Sequence, residues 1–502
     1  MDSFQVTVFL SILGSLFATL YLYFRRKHTY WARRGVYSPP THWLFGHFKD
    51  AIFLRISPSK LMGKLYAKGK GHPVMGIYVM QKPFLVLRSP EIIKQVLGKD
   101  FNSFSDRHFA NKRKDDIIGS TNIFSIDNPG WKYLRVKLSP AFSSGKTKRL
   151  FEIMVESSEN LKNHLENKIM SGNTVEVRNI SSKYTADVAA SLSFGVKTNS
   201  FQESGAELHD RSQALTSQNL FQVFVIFANF FFPKLNDILG LSLLGGHNEF
   251  FRRIFWESMD AREKSGTKRG DVIDLLMDLK KEEQSKEFRF EGDRLVAQSW
   301  IFLVAGQETS SITMTFSLLE LSRHPEMQAK VREEIREKIG AKDQITYERV
   351  SKMNYVHQVV SETLRLYAPA SVLDRLAVAD YKIPGTDIVI EKGTVVYVSL
   401  DGLHEDPEYH PDPLKYDPDR FSESRKHEIK PGTYLPFGDG PRMCIGMRVG
   451  ILQSVVGLIR ILSEFEVFPD PKHKSEVSKR AMFTAPADPP GVLLRFVKNP
   501  VF

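Results

Sequence analysis

Only one cysteine, Cys444, occurs in 502 residues. No intrachain disulfide can staple such a chain, so the fold must rest on buried core, and nothing points to an oxidising compartment. The cysteine stands in "PFGDGPRMCIGMRVG", residues 436–450. Gly438, Gly440 and Pro441 allow a tight turn there. From Met443 to Phe465 apolar residues recur at helical spacing. The pattern predicts Cys444 at or near a helix N-terminus, where unpaired N–H groups and the positive end of the dipole favour a thiolate. Gly446 removes a side chain where something large and flat would approach the backbone. A lone cysteine is most often a small buried hydrophobe, but this setting suits a rigid thiolate that donates to a metal from one side.

A second constraint lies at the other end. "FQVTVFLSILGSLFATLYLYF", Phe4–Phe24, carries no charge and is followed at once by Arg25, Arg26 and Lys27. At about 1.5 Å per residue it is long enough to cross a hydrocarbon core of about 30 Å. Asp2 precedes the run and the basic cluster follows it, the reverse of a cleaved signal peptide. These flanks predict a retained single-pass anchor at residues 1–24, with everything after it on the cytosolic side. Residues 25–48 read as a basic stop and proline-rich connector, and residues 49–502 as one large body on a tether. The net charge of +11 is dispersed and no nucleic-acid motif accompanies it, so no nucleic-acid partner is expected. "KGKGH" at Lys68–His72 lacks phosphate-loop spacing. The charge better suits anionic lipid or an acidic protein.

Along the body, Pro73–Pro90 reads as two strands about a turn near Gln81–Lys82, and Tyr381–Leu400 as strands and turns. "PPGVLLRFV" suggests a last hairpin. From Pro90 to about Glu337 the pattern is largely helical, broken by loops such as "SIDNPGW" and "SSGKTKR". The expected class is mainly α with a minor β portion (α+β), behind one transmembrane helix.

Three further segments bear on Cys444. In "IFLVAGQETSSITMTF", Ile301–Phe316, an apolar helix carries Gly306, Glu308 and Thr309 at its middle. A mid-helix glycine costs about 1 kcal/mol, and a carboxylate among apolar residues needs a partner or a task. An acid and a hydroxyl there could relay protons to a small molecule. In "ETLRLYAP", Glu362 and Arg365 stand i,i+3 on a largely buried helix and would pair. "YDPDRF" offers Arg420 as a third member.

Phe437, Gly440, Arg442, Cys444 and Gly446 in their spacing, preceded in order by AGQET, ExxR and PDRF, resemble the cytochrome P450 family from the anchor to the last hairpin. The wording of these segments is most similar to insect microsomal members associated with detoxification. The resemblance implies the cytochrome P450 fold and haem b as cofactor, with Cys444 as axial thiolate ligand of the iron and Phe437 packed on the sulfur side. Trp131 and Arg135 match the family's WxxxR element; with Arg442 and Arg375 they would neutralise the haem propionates. Glu362, Arg365 and Arg420 would form a structural network. Glu308 and Thr309 would deliver protons to dioxygen at the iron, with Gly306 giving it room. Met443 stands where relatives often carry a polar residue, and "PPT" replaces the commoner PPGP.

The family's recognition segments fall on Ile117–Phe124, Phe302–Ala305, Ser371–Leu373 and Met482–Ala485, and its mobile, membrane-dipping roof on Phe221–Leu235; the alternative for that last stretch is ordinary core. The substrates implied are lipophilic small molecules: xenobiotics such as plant toxins or insecticides, or hormones and lipids. Electrons would come from NADPH–cytochrome P450 reductase, with cytochrome b5 as a second donor, at the endoplasmic reticulum membrane. Lys132, Lys137, Lys146, Lys148 and Arg448 are candidates for the basic docking face. Two other readings compete: a haem-thiolate isomerase or dehydratase working without dioxygen, and a non-catalytic haem- or lipophile-binding membrane protein. The retained Glu308 and Thr309 disfavour both. A zinc site at His404 and His410 matches no common ligand spacing.

Overall fold

A computed structural model describes residues 3–215, 220–231, 238–241, 244–341, 344–471 and 491–502. Nine helices carry the argument: α1 (Ser3–Lys27), α2 (Gly130–Leu138), α3 (Ser144–Ser171), α4 (Val177–Phe194), α5 (Glu207–Leu215), α6 (Leu220–Phe231), α7 (Asp293–Arg323), α8 (Tyr355–Leu366) and α9 (Met447–Glu464). The expected balance of much helix and little strand holds. Apolar residues on nearly every face bury α4, α7 and α9 against one another, since a helix without a polar face must lie inside.

β1 (Val74–Val79) and β2 (Lys82–Leu87) form the expected hairpin. β2 pairs in parallel with β7 (Val395–Ser399), which pairs antiparallel with β4 (Val372–Leu376). β5 (Tyr381–Lys382) and β6 (Val389–Ile390) make a separate ladder. The last strand, β9 (Leu493–Lys498), pairs with β8 (Phe465–Pro469) on one side and β3 (Thr174–Glu176) on the other. One core cluster lies among the helices and another around the first sheet. Residues from both line the cavity described below.

"SSGKTKR" was expected as a loop. It instead opens α3, with Ser143 as N-cap: small residues suit a first helical turn, and the Lys and Arg that follow favour helix. α1 runs past the expected boundary at residue 24, to Lys27. Its large apolar residues from Phe4 to Tyr23 are exposed, and by length and composition it is able to span a membrane.

The connector is not a loose tether. Trp31 is buried and donates Nε1–H to the Ile77 carbonyl at 3.2 Å, while its backbone N–H reaches the Tyr78 hydroxyl at 3.0 Å. Its ring occupies space that only a glycine at 76 leaves open, since a Cβ there would lie 2.2 Å from the indole. Tyr30 and Arg34 both bond Glu391. Trp43 packs its ring beside Phe17, Tyr21 and Phe24 of α1. Aromatic burial thus seats the base of α1 on β1.

Candidate active site

The cysteine loop is shaped by backbone constraints. Gly438 and Gly440 have φ of +75° and +70°, and a Cβ on Gly440 would stand 1.9 Å from the Leu97 carbonyl oxygen. Only glycine fits there. Cys444 donates its N–H to the Phe437 carbonyl at 2.8 Å, and Arg135 Nη1 donates to the Met443 carbonyl at 3.0 Å. α9 begins at Met447 with Gly446 as its N-cap, so Cys444 lies just ahead of the first turn. Its side chain is open to an internal cavity yet enclosed by protein. Burial pushes the Cys444 thiol up, against the opposing pull of the Gly446 N–H and the Arg135 and Arg107 charges. The helix start therefore does not by itself make a thiolate here. A coordinated metal ion would, by displacing the proton outright.

The cavity has a volume of about 290 Å³ and mainly apolar walls, from Ala305 and Thr309 of α7, Val372 and Leu373 of β4, and Phe437 beside Cys444. Three guanidiniums reach it: Arg107, Arg375 and Arg442. Arg375 Nη1 donates to the Asp374 carbonyl at 2.7 Å, and Arg442 Nε to the Ser105 carbonyl at 2.6 Å. Arg107 pairs with Asp374 at 3.2 Å. Arg107 Nε, Arg375 Nε and Arg442 Nη1 are buried without a hydrogen-bond partner among the described residues. Burial first, and then the neighbouring Arg107, push Arg375 and Arg442 down to about 9. Such a cluster calls for anionic groups. A flat apolar group with acidic substituents at one edge fits the apolar walls, the orphaned N–H groups and the thiol together, as haem requires.

Arg375 and Arg442, two of the expected residues, line this cavity. Trp131 and Arg135 stand behind that rim: Trp131 stacks under Arg442, whose Cζ is 4.4 Å from the ring centroid, and both line a shallow pocket with Lys99 and Lys132. Arg107 escaped the sequence reading, because "SDRHFA" has no spacing relation to any of the recognised segments.

On α7, Thr309 is open to the cavity and donates Oγ1–H to the Ala305 carbonyl at 2.7 Å. Glu308 is turned the other way and pairs with Arg178 of α4 at 2.6 Å. Gly306 also faces α4, where a Cβ would approach Ala189 Cβ to 3.3 Å. Its missing side chain serves close helix packing rather than space on the cavity side.

The ExxR element closes as expected. Glu362 and Arg365 have no exposed side-chain surface and are joined by bonds of 2.7 and 2.8 Å, with Arg420 Nε 3.5 Å from Glu362. Burial pushes Glu362 up, against the pull of the two guanidiniums and the Asp417 N–H. His404 and His410 are spent on backbone: His404 bonds the Arg365 carbonyl and the Leu435 N–H, and His410 the Thr433 carbonyl. No metal-binding cluster occurs among the described residues.

Of the recognition segments, Phe124, Ala305 and Ser371–Leu373 line the cavity; Met482–Ala485 lies outside the described residues. Phe221–Leu235 divides: Phe221 and Phe224 of α6 are exposed, Val225 and Ala228 are buried, and residues 232–235 lie outside the described residues. Among the basic candidates, Lys137 pairs with Glu282 and Lys148 with Glu348, and Arg448 bonds the Ser144 hydroxyl. Lys132 and Lys146 have no ion pair among the described residues.

Comparison with known proteins agrees with this geometry. The family model described as Cytochrome P450 matches residues 37–494. The chain is 39% identical over 512 residues to "Cytochrome P450 6k1" of Blattella germanica, covering 98% of this chain and 97% of that one. It is 34% identical to "Probable cytochrome P450 6g2" of Drosophila melanogaster, at 98% and 99% coverage. To "Cytochrome P450 6B7" of Helicoverpa armigera it is 34% identical, at 91% and 92% coverage. With likeness running nearly end to end, the chain belongs to the cytochrome P450 family, whose members are haem-thiolate monooxygenases.

Proposed function

We propose that this is a microsomal monooxygenase, held in the endoplasmic reticulum membrane by α1. It inserts one atom of dioxygen into lipophilic molecules, with electrons from NADPH through a separate reductase. The observation that carries the reading is that Cys444 and Thr309 share one mainly apolar cavity with an arginine rim.

Haem b bound through the Cys444 thiolate supplies the dioxygen chemistry. Arg107, Arg375 and Arg442 bind its acidic substituents by charge-assisted bonds, each worth about 1.5–3 kcal/mol. Trp131 holds Arg442 in place, and Phe437 keeps water from the sulfur. Arg135 fixes the Met443 carbonyl beside the thiolate, while Gly446 starts α9. Thr309 Oγ1, on turning its hydrogen from the Ala305 carbonyl, hands protons into the cavity. Glu308, on the α4 side of the same helix, is the carboxylate that replenishes them. The apolar walls favour a lipophilic substrate that displaces water, and such walls discriminate weakly between hydrophobes, at about 1–3 kcal/mol per methylene. Lys132 and Lys146, with Arg448, suit an acidic electron donor such as the flavin domain of NADPH–cytochrome P450 reductase, or cytochrome b5.

Turnover under labelled dioxygen tests the reading. The full chain is reconstituted with reductase and NADPH and given a panel of a fatty acid, a steroid, an alkoxycoumarin and a pyrethroid ester. A product with one labelled oxygen is expected. A holoprotein that accepts electrons but yields only unlabelled rearrangement products, from organic peroxides, would overturn it in favour of an isomerase.

A further inference from the structure

Four residues of α4, Arg178, Ser182, Thr185 and Ala189, are spaced by four, three and four and so share one face. Each meets the same turn of α7. Arg178 Nη2 pairs with Glu308 at 2.6 Å. Ser182 Oγ accepts from Gln307 Nε2 at 3.1 Å, and Thr185 Oγ1 donates to the Gln307 carbonyl at 2.9 Å, the Ser182 carbonyl being a longer second acceptor at 3.2 Å. Ala189 packs where Gly306 lacks a Cβ. From α9, Gln453 Nε2 donates to the Gly306 carbonyl at 3.2 Å. Thr309 Oγ1 meanwhile donates to the Ala305 carbonyl. Three successive carbonyls of α7, at 305, 306 and 307, therefore each take a side-chain donor. Thr185 and Gln453 are themselves buried and are not among the residues that line the cavity.

Helix carbonyls bonded from outside fix the rotation and local opening of the helix that bears them. On α7 that rotation decides which side chain meets the cavity and which meets α4. We infer that Thr185 of α4 and Gln453 of α9 are positioning residues for proton delivery: they lock the 305–308 turn so that Thr309 faces the cavity while Glu308 is fed from the α4 side, behind the helix. The inference rests on the relay role given above to Glu308 and Thr309.

The test uses the holoenzyme with reductase, NADPH and whichever panel compound turns over fastest. Thr185→Val and Gln453→Leu keep side-chain volume and remove the donor. Both are expected to retain haem, the substrate-induced spectral shift and NADPH oxidation. Product per NADPH should fall about 3–10-fold, the range one neutral hydrogen bond supplies, with hydrogen peroxide making up the difference. The solvent isotope effect on product formation should rise. Thr185→Ser restores the hydroxyl and should restore coupling. Turnover driven by cumene hydroperoxide, which bypasses proton delivery, should stay at the wild-type rate. Coupling unchanged in both variants, or equal losses with NADPH and with cumene hydroperoxide, would overturn the inference. Should one variant fail to fold, the other decides alone. Thr309→Ala separates the two readings. If it is as tightly coupled as the wild type, the relay itself is refuted; if it uncouples while Thr185→Val and Gln453→Leu do not, only the positioning role falls.

Discussion

Replacing Arg365 with lysine keeps the charge and removes the fork. The guanidinium donates to both Glu362 oxygens and to the carbonyls of His404, Pro413 and Lys415. An ammonium offers three donors for these five acceptors; Glu362 Oε1 keeps the Asp417 N–H at 2.9 Å, so at least one of the other oxygens loses its partner. Each orphan costs about 1–3 kcal/mol, which puts Arg365→Lys at about 1–3 kcal/mol or more. Arg365→Met removes the charge as well. Breaking a buried pair costs about 3–5 kcal/mol, and the three carbonyls add to that. The sum reaches the total stability of about 5–15 kcal/mol usual for a domain, so Arg365→Met should yield no folded holoprotein. Urea unfolding of the holoprotein in detergent, followed by haem absorbance, measures the lysine variant. Stability within about 1 kcal/mol of wild type would refute the reasoning, because the coil from His404 to Lys415 would then not depend on the fork.

Other outcomes follow from particular contacts. Cys444→Ala should lose the thiolate signature in the carbon monoxide difference spectrum and all monooxygenase turnover. Arg442→Ala should speed haem transfer to apomyoglobin about 10–150-fold, the equivalent of one charge-assisted bond; an unchanged rate would remove Arg442 from the rim. Gly440→Ala places a Cβ 1.9 Å from the Leu97 carbonyl oxygen at a φ of +70°, and should abolish haem incorporation while leaving the helical circular dichroism largely intact. Burial pushes Asp187, held by Thr198 and Ser200, from 3.8 up to about 6. A raised carboxyl stabilises the fold fully below its unfolded pKa, and that contribution is lost as pH rises through about 6. Asp187→Asn should therefore flatten the fall in thermal midpoint across this window.

The chemistry was legible in order and spacing because backbone rules enforce it. Gly438, Gly440 and the apolar run after Met443 mark the cysteine loop wherever it sits. Glu362 and Arg365 must pair on one helix face at i,i+3. The uncharged run from Phe4 matches a bilayer in length and is exposed along α1. What escaped the reading depends on long-range packing. Arg107 joins the rim because Asp374, 267 residues away, holds it there. "SSGKTKR" is helical because α3 continues from it. Trp31 turns an apparent tether into a seat because residue 76 has no side chain.

Sequence alone determined the cysteine loop, the long exposed apolar helix and the ionic network, since each follows from local geometry or from the run of apolar residues along the chain. Tertiary structure alone decided which face of α7 meets the cavity. Glu308 and Thr309 are adjacent in the chain, yet a helix turns successive residues about 100° apart. The packing of α4 and α9 sets that rotation, sending the hydroxyl to the cavity and the carboxylate to Arg178.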